Sequence, residues 1–481
     1  MSEVMDRLTS FITRTQFNDL PEDVIHETKR VLLDSIGCAL PGHAVERGKI
    51  AIGFAKKLGG SSGTTRSTII GTKDKVCPAN AAFADGELIN TLDFDALSRA
   101  GLHDTPTVIS APLTQAEAVG ASGKDLILAT ALAFEISGRI KLAAPGGYAA
   151  SPEQGGKILF PEVGGNSPAT LGGAAGAGKL LKLNQGKMGF AIAIAGYICP
   201  PNTLEQVGHS VRPVRMTKYT PPGWGAHTAV SSAMLADMGY TGDTSLFDGD
   251  FGFWRYTGAL KGQWNTEKVV DGLGKSWFVQ INYKQYPAGL CIAGALDKFI
   301  QIIGENDIRP EEIEHVTLQP HPRVQFHGEA KLVTHDDYSF NPVYLLTCAA
   351  HRLAPTDWHE EHVRQDVKIQ KYMRWLTPKV SIAPWDEIEK DFALAKLEDP
   401  RTYQQRCEVV AKGKTFRGVA RHPKGGWWAE DLRNTDEELV KKFVGNASKV
   451  LSSDKVNKAA QTIMQLEKLG NTAELLNILA P

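Results

Sequence analysis

Two aspartates and a histidine stand close together in a mostly apolar stretch of this sequence. Asp93 and Asp95 lie in the segment INTLDFDALSRAGLHDTP, and His103 follows Asp93 by ten residues. Histidine gains or loses a proton near neutral pH, so it can serve as an acid or a base there. A carboxylate partner can hold the imidazole in one tautomer. The segment therefore indicates either an acid–base site or a solvated loop that contains a histidine.

Cationic residues that could bind carboxylates occur later in the chain. Lys218 lies in the segment MTKYTPPGWGAHTAV, and a lysine there could bind a substrate carboxylate or stabilise an enediolate. Arg212 and Arg215 precede it, and they either bind carboxylates in a cleft or pair with acidic surface groups. Tyr148, in a glycine-rich loop, and Tyr286, beside a proline, are weaker candidates for a polar contact, since such tyrosines often only pack.

Other patterns argue against metal and nucleotide sites. The closest two of the six cysteines are 39 residues apart, so no CxxC pair predicts zinc or an iron–sulfur cluster. The segment HEEH, residues 359–362, lacks the spacing of the HExxH zinc motif. The segment GGAAGAGKLL lacks the phosphate-loop order, because Leu180 follows Lys179. We therefore expect no metal and no cofactor.

The composition is that of an ordinary globular protein. Lys and Arg number 53, and Asp and Glu number 54, which gives a net charge of −1. This balance gives no electrostatic reason to expect nucleic acid as a partner. The first residues show no signal-peptide pattern, and no apolar run approaches the ~18 residues of a membrane helix. We expect a cytoplasmic protein that acts without a membrane or nucleic acid.

A long helix is predicted by the segment NDLPEDVIHETKRVLLDSIGCALPG. Asn18 or Asp19 can cap its start, and Pro21 suits its first turn. Apolar residues then recur at helical spacing, and Pro41 and Gly42 should end it. Similar periodicity predicts further helices, and one of them, SPATLGGAAGAGKLL, is so rich in small residues that we expect it to be buried among other helices.

The pattern changes near Trp277. Alternating apolar residues predict strands in SWFVQINYKQYP, IEHVTLQPHP and PKVSIAP, and in the pair QRCEVVAKG and TFRGVARHP. Helical periodicity returns after Thr435. We therefore predict a mainly α protein, with a large all-helical domain formed by residues 1–270 and 435–481. Residues 271–434 should form a smaller α+β lid domain.

Six segments, taken in order, resemble the MmgE/PrpD family over about 270 residues. This family includes 2-methylcitrate dehydratase, cis-aconitate decarboxylase and iminodisuccinate epimerase. Five of the segments are LPEDVIHETKRVLLDSIGCALPG, NAAFADGELINTLDFD, MTKYTPPGWGAHTAV, LADMGYTGDTSLFDGDFGFWR and YKQYPAG. The sixth consists of His103 and the segment QAEAVG, whose Glu117 follows it by fourteen residues.

The resemblance implies an active site in the cleft between an all-helical domain and an α+β lid. It also implies a homodimer, metal-free chemistry and small di- or tricarboxylate substrates. Its motifs assign catalysis to Asp93, His103 and Lys218. The candidate substrate-binding residues are Arg212, Arg215, Thr217, Tyr148 and Tyr286.

The sequence departs from the family at positions that bear on the reaction. Relatives that dehydrate or decarboxylate commonly carry a histidine near the start of the Gly/Ala-rich helix, where this chain has FPEVGGNSPATL around Val163. Decarboxylases carry another histidine where this chain has Gly289. Ala96 replaces the second aspartate of an Asp-Asp pair, and Tyr219 replaces a common arginine.

These observations predict a lyase that dehydrates a hydroxylated di- or tricarboxylate of the 2-methylcitrate type. An isomerase or epimerase of the iminodisuccinate type is the first alternative, because the missing histidines suit simple proton abstraction and return. Decarboxylation of cis-aconitate is a further alternative. A non-catalytic relative that only binds a carboxylate is the last, and the retained base argues against it.

Overall fold

The fold is described from a computed structural model. It covers residues 2–59, 66–99, 103–144, 149–151, 157–159, 167–200, 213–217, 222–249, 252–255, 264–319, 332–383 and 404–481. Within these ranges the chain is mainly α-helical and carries a small mixed sheet in its second half. None of the helices in these ranges has both the length and the apolar character needed to span a bilayer.

The first part of the chain is built from helices. Their bounds are Glu3–Arg14, Glu22–Gly42, Glu46–Leu58, Pro78–Asn90, Thr105–Ala118, Gly123–Ala143, Ser167–Leu180, Gln185–Ile198 and Pro222–Asp237. Short antiparallel strands pair between them: β1 (Ser67–Thr68) with β2 (Lys75–Val76), and β4 (Ala149–Ser151) with β5 (Lys157–Leu159).

The ends of the helix Glu22–Gly42 differ slightly from the prediction. Pro21 is the residue before the first turn rather than a member of it, and Pro41 lies inside the last turn. A proline at a helix end removes only one backbone hydrogen bond, so the helix can continue through it to Gly42.

The Gly/Ala-rich helix Ser167–Leu180 is buried among other helices, as predicted. A Cβ atom on Gly172 would lie 2.3 Å from the carbonyl oxygen of Ala133, and one on Gly176 would lie 2.8 Å from that of Ala129. Only glycine allows the helix Gly123–Ala143 to approach this closely.

The second part combines helices with one four-stranded sheet. The strand β7 (Ile313–Gln319) runs parallel to β8 (Val380–Ile382) and antiparallel to β9 (Gln405–Ala411), which forms the predicted hairpin with β10 (Lys414–Ala420). The helices are Leu290–Glu305, His335–Ser339, Pro342–Ala350, Glu361–Arg364 and Val367–Leu376, followed after the sheet by Asp436–Ala447, Ser453–Met464 and Ala473–Leu479.

The segment SWFVQINYKQYP forms a much shorter strand than predicted. Only β6 (Ile281–Asn282) is extended, and it pairs with β3 (Leu97–Ser98). The backbone N–H of the next residue, Tyr283, donates a hydrogen bond to the carbonyl oxygen of Gly425, at 2.9 Å. This short pairing attaches the segment directly to the chain that follows Asp93 and Asp95.

Buried apolar side chains in the described ranges form two large cores. One core contains side chains from Val4 to Tyr283 together with the C-terminal helices, from Leu439 to Leu479. The other runs from Tyr286 to Ala411. The domain limits 1–270, 435–481 and 271–434 stay a proposal. Tyr283 belongs to the first core and Tyr286 to the second, so Lys284 lies at the junction between the two cores.

Candidate active site

Asp93 and Asp95 lie in a turn that directly follows the helix Pro78–Asn90. The backbone N–H of Asp93 donates to the carbonyl of Asn90, at 3.0 Å. Asp93 has a φ of 54°, a left-handed conformation that aspartate tolerates better than most residues. Both aspartate side chains are fully buried. The turn thus presents two carboxylates away from bulk water.

Lys284 pairs with Asp93. Its Nζ lies 2.8 Å from Oδ1 of Asp93 and 2.9 Å from the carbonyl oxygen of the same residue. The side chains are 2% and 0% exposed, so the two opposite charges compensate one another away from water. Lys284 was not among the residues predicted for the site, although it lies in the family-like segment YKQYPAG. A lysine inside a largely apolar, strand-like segment was the available signal.

His103 pairs with Asp95. Its Nδ1 lies 3.6 Å from Oδ2 of Asp95, and its side chain is 17% exposed. Burial by itself raises the pKa of Asp95, but the nearby imidazole of His103 and the charge of Lys284 bring that pKa below its usual value. Asp95 is therefore ionised at neutral pH and can stabilise a protonated His103.

A buried network fixes the carboxylate of Asp95. Nδ2 of Asn90 lies 3.3 Å from both of its oxygens, and Nη1 of Arg47 donates to Oδ1 of Asn90, at 3.2 Å. Nε of Arg47 donates to Glu87 at 2.6 Å, and the other Glu87 oxygen accepts the backbone N–H of Gly223 at 2.9 Å. Because Arg47 can only donate, it turns the Asn90 amide nitrogen toward Asp95.

A third buried carboxyl group belongs to Asp104, the neighbour of His103 in sequence. Its Oδ2 accepts the hydroxyls of Ser98, at 2.7 Å, and of Ser137, at 3.3 Å. Burial raises the pKa of Asp104 to about 6, and these hydrogen bonds only partly oppose the rise. The protonation of Asp104 thus changes in the pH range in which the site would work.

The donor atoms of Asp93, Asp95 and His103 could hold a metal ion, since they lie within 4.8 Å of one another. Two carboxylates and an imidazole suit several divalent cations. However, the ammonium group of Lys284 already lies 2.8 Å from Asp93 and supplies a positive charge there. The metal-free site expected from the sequence stays a prediction.

The structure places Tyr286 in the second core rather than beside Asp93. Its hydroxyl donates to Oδ1 of Asp297, at 2.8 Å, and its ring stacks on Trp358 with centroids 5.3 Å apart. Its side chain is buried. The hydroxyl thus has a carboxylate partner, and the predicted substrate contact of Tyr286 stays a prediction.

Two of the remaining predicted residues, Arg215 and Thr217, lie in a short described segment, 213–217. Oδ1 of Asp337 accepts the backbone N–H of Val214, at 2.8 Å, and so attaches this segment to the second part of the chain. Arg215 and Thr217 lie within it, and their binding roles stay predictions. The other three candidates lie outside the described residues: Tyr148, Arg212 and Lys218.

Gly289, where decarboxylases carry a histidine, precedes the helix Leu290–Glu305. A Cβ atom there would lie 3.1 Å from Sγ of Cys291 and 3.3 Å from the ring of Phe340. A larger side chain would therefore need its neighbours to shift. Val163, at the other departure, lies outside the described residues.

Comparison with known proteins shows the family of the chain. The chain is 25% identical to the human cis-aconitate decarboxylase over 100% of this chain and 95% of that protein, and to the mouse protein of that name over 100% and 94%. A cis-aconitate decarboxylase-like protein of Aspergillus oryzae is also 25% identical, over 99% of this chain and 97% of its own length. The MmgE/PrpD N-terminal domain matches residues 6–262, and the MmgE/PrpD C-terminal domain matches residues 286–468. The chain belongs to the MmgE/PrpD family.

Proposed function

We propose that this chain is a lyase that dehydrates a small hydroxylated di- or tricarboxylate of the 2-methylcitrate type. The observation that carries this proposal is the pairing of His103 with the buried, ionised Asp95 beside the Asp93–Lys284 pair. Such a dehydration needs a base for a proton on carbon, a positive charge for the developing carbanion and an acid for the leaving hydroxyl.

The exposures of the side chains support a division of roles. His103 is 17% exposed, whereas Asp93, Asp95 and Lys284 are at most 2% exposed. His103 is therefore the member that a substrate can reach most easily, and it would move the proton. Asp95 would stabilise the protonated imidazole. Lys218, by its resemblance to the family, would bind a substrate carboxylate.

Decarboxylation of cis-aconitate is the second candidate, and the names of the similar proteins favour it. In that reaction a C–C bond breaks, carbon dioxide leaves, and a proton is added to the carbon that keeps the electron pair. His103 could supply this proton. Gly289, where decarboxylases carry a histidine, favours dehydration instead.

Incubation in heavy water with citrate, 2-methylcitrate, cis-aconitate and aspartate-derived acids, followed by NMR, separates the candidates. We expect a hydroxylated acid to lose water and give alkene signals. Carbon dioxide release from cis-aconitate without dehydration would favour the second candidate. Deuterium exchange alone would indicate an isomerase, and unchanged spectra with measurable binding would indicate a carboxylate-binding protein.

A further inference from the structure

Lys442 lies on the helix Asp436–Ala447, near the C-terminal end of the chain, and its side chain reaches the site. Its Nζ lies 2.7 Å from Oδ1 of Asp34, 2.9 Å from the carbonyl oxygen of Phe94 and 3.0 Å from the carbonyl oxygen of Lys284. The ammonium group donates hydrogen bonds to the two carbonyl oxygens and forms an ion pair with the carboxylate of Asp34. The side chain is only 11% exposed.

The two carbonyl groups belong to the backbone that carries the candidate catalytic groups. Phe94 lies between Asp93 and Asp95, and Lys284 is the partner of Asp93. The ammonium of Lys442 also lies 3.9 Å from the centre of the Phe94 ring, which adds a cation–π contact. One side chain therefore holds the turn and the end of strand β6 at a fixed separation.

The turn needs such support because of its conformation. Asp93 has a backbone φ of 54°, a value that residues other than glycine seldom adopt. Lys284 binds the carbonyl oxygen of Asp93, and Lys442 binds that of Phe94. Two lysines from distant parts of the chain thus hold consecutive carbonyl groups of the same turn.

Asp34 compensates the charge of Lys442. It lies in the helix Glu22–Gly42 and is fully buried. Burial raises the pKa of Asp34, and the charge of Lys442 opposes that rise. Removing either partner alone would leave the other charge buried without compensation, whereas removing both would not. This difference allows the stability of the fold to be separated from the position of the turn.

We propose that Lys442 is a positioning residue that holds the Asp93–Asp95 turn and Lys284 in the arrangement needed for proton transfer by His103. This inference rests on the proposed function, and it assigns the helix Asp436–Ala447 a part in the site. Lys442 itself acts through the backbone of Phe94 and Lys284.

The test compares Lys442→Met, the double variant Asp34→Asn/Lys442→Met and the control Lys441→Met. Lys441 is the exposed neighbour of Lys442 on the same helix. Three quantities are measured: the melting temperature, kcat, and the ring ¹⁵N chemical shifts of His103, assigned by their loss in His103→Gln. The shifts report the protonation and hydrogen bonding of the imidazole and need no substrate.

We expect Lys441→Met to match the wild type and Lys442→Met to lose melting temperature and kcat. The double variant should regain most of the melting temperature, while kcat stays at least tenfold lower and the His103 signals stay shifted. A double variant with kcat within twofold of the wild type and unchanged His103 signals would overturn the proposal. If the double variant does not fold, Lys442→Met is measured below its melting temperature, and a kcat within twofold of the wild type with unchanged His103 signals would overturn the proposal equally.

Failure of the proposed function would look different. In that case the wild type would turn over none of the acids in the panel, and the His103 signals alone would decide. Shifted signals in a folded double variant would support the positioning role, and unchanged signals would refute it.

Discussion

Asp104 should make the stability of the protein depend on pH near neutrality. Its carboxyl group is fully buried beside His103, and burial raises its pKa from 3.8 to about 6. The folded state therefore binds this proton more tightly than the unfolded state. The resulting stability is fully present below about pH 4 and is lost as the pH rises to about 6. The whole shift corresponds to about 3 kcal/mol, of which about 1.4 kcal/mol is lost between pH 5 and pH 8.

The variant Asp104→Asn removes this titration and keeps an acceptor for the hydroxyl of Ser98. We expect the variant to gain stability over the wild type as the pH rises, by about 1.4 kcal/mol more at pH 8 than at pH 5. Urea unfolding followed by circular dichroism at both pH values measures the difference. Asp248→Asn, at an exposed aspartate, is the control and should follow the wild type. If Asp104→Asn kept the pH dependence of the wild type, the assignment of a raised pKa to Asp104 would be wrong.

Three further predictions concern the charges of the site. Lys284→Met should lose about 3–5 kcal/mol of unfolding free energy because the buried carboxylate of Asp93 loses the positive charge of Lys284. Asp93→Asn/Lys284→Met should regain most of that loss in urea unfolding, and an equally unstable double variant would contradict the pairing. Lys218→Ala should raise KM more than it lowers kcat, because its expected role is to bind a substrate carboxylate; steady-state kinetics with an unchanged KM would rule that role out. Turnover should survive prolonged treatment with EDTA, since Lys284 supplies the positive charge beside Asp93. Loss of activity that a divalent metal restores would instead show that Asp93, Asp95 and His103 bind an ion.

Local patterns were enough to predict most of the elements. The Gly/Ala-rich run predicted a buried helix because small side chains permit close contact between helix backbones. Gly172 makes such a contact with the backbone of Ala133. Alternating apolar residues predicted the hairpin of β9 and β10 because one face of each strand packs on a core. The mainly α fold followed from the same periodicity, and the order of the family segments pointed to the same architecture.

The contacts that assemble the site could not be predicted in this way. Lys284 binds Asp93 across 191 residues, and Lys442 binds Phe94 across 348 residues. Periodicity reports which face of an element is buried, but it does not report which distant element lies against that face. The apolar neighbours of Lys284 in the sequence could indicate that it is buried, but they did not indicate its partner. The same holds for Tyr286, whose hydroxyl binds Asp297 eleven residues later, a contact that no pattern in the sequence indicated.

The role of His103 in moving the proton is best tested by the turnover of His103→Ala on the substrate that the NMR panel identifies. Acid–base groups of this kind typically contribute ~10²–10⁴-fold in rate, so we predict a loss of kcat in that range. The circular dichroism melt should stay close to that of the wild type, because the side chain is partly exposed and lies at the edge of the buried pairs. A near wild-type kcat with an unchanged melt would contradict the proposed role of His103, and the base would have to be sought elsewhere in the cleft.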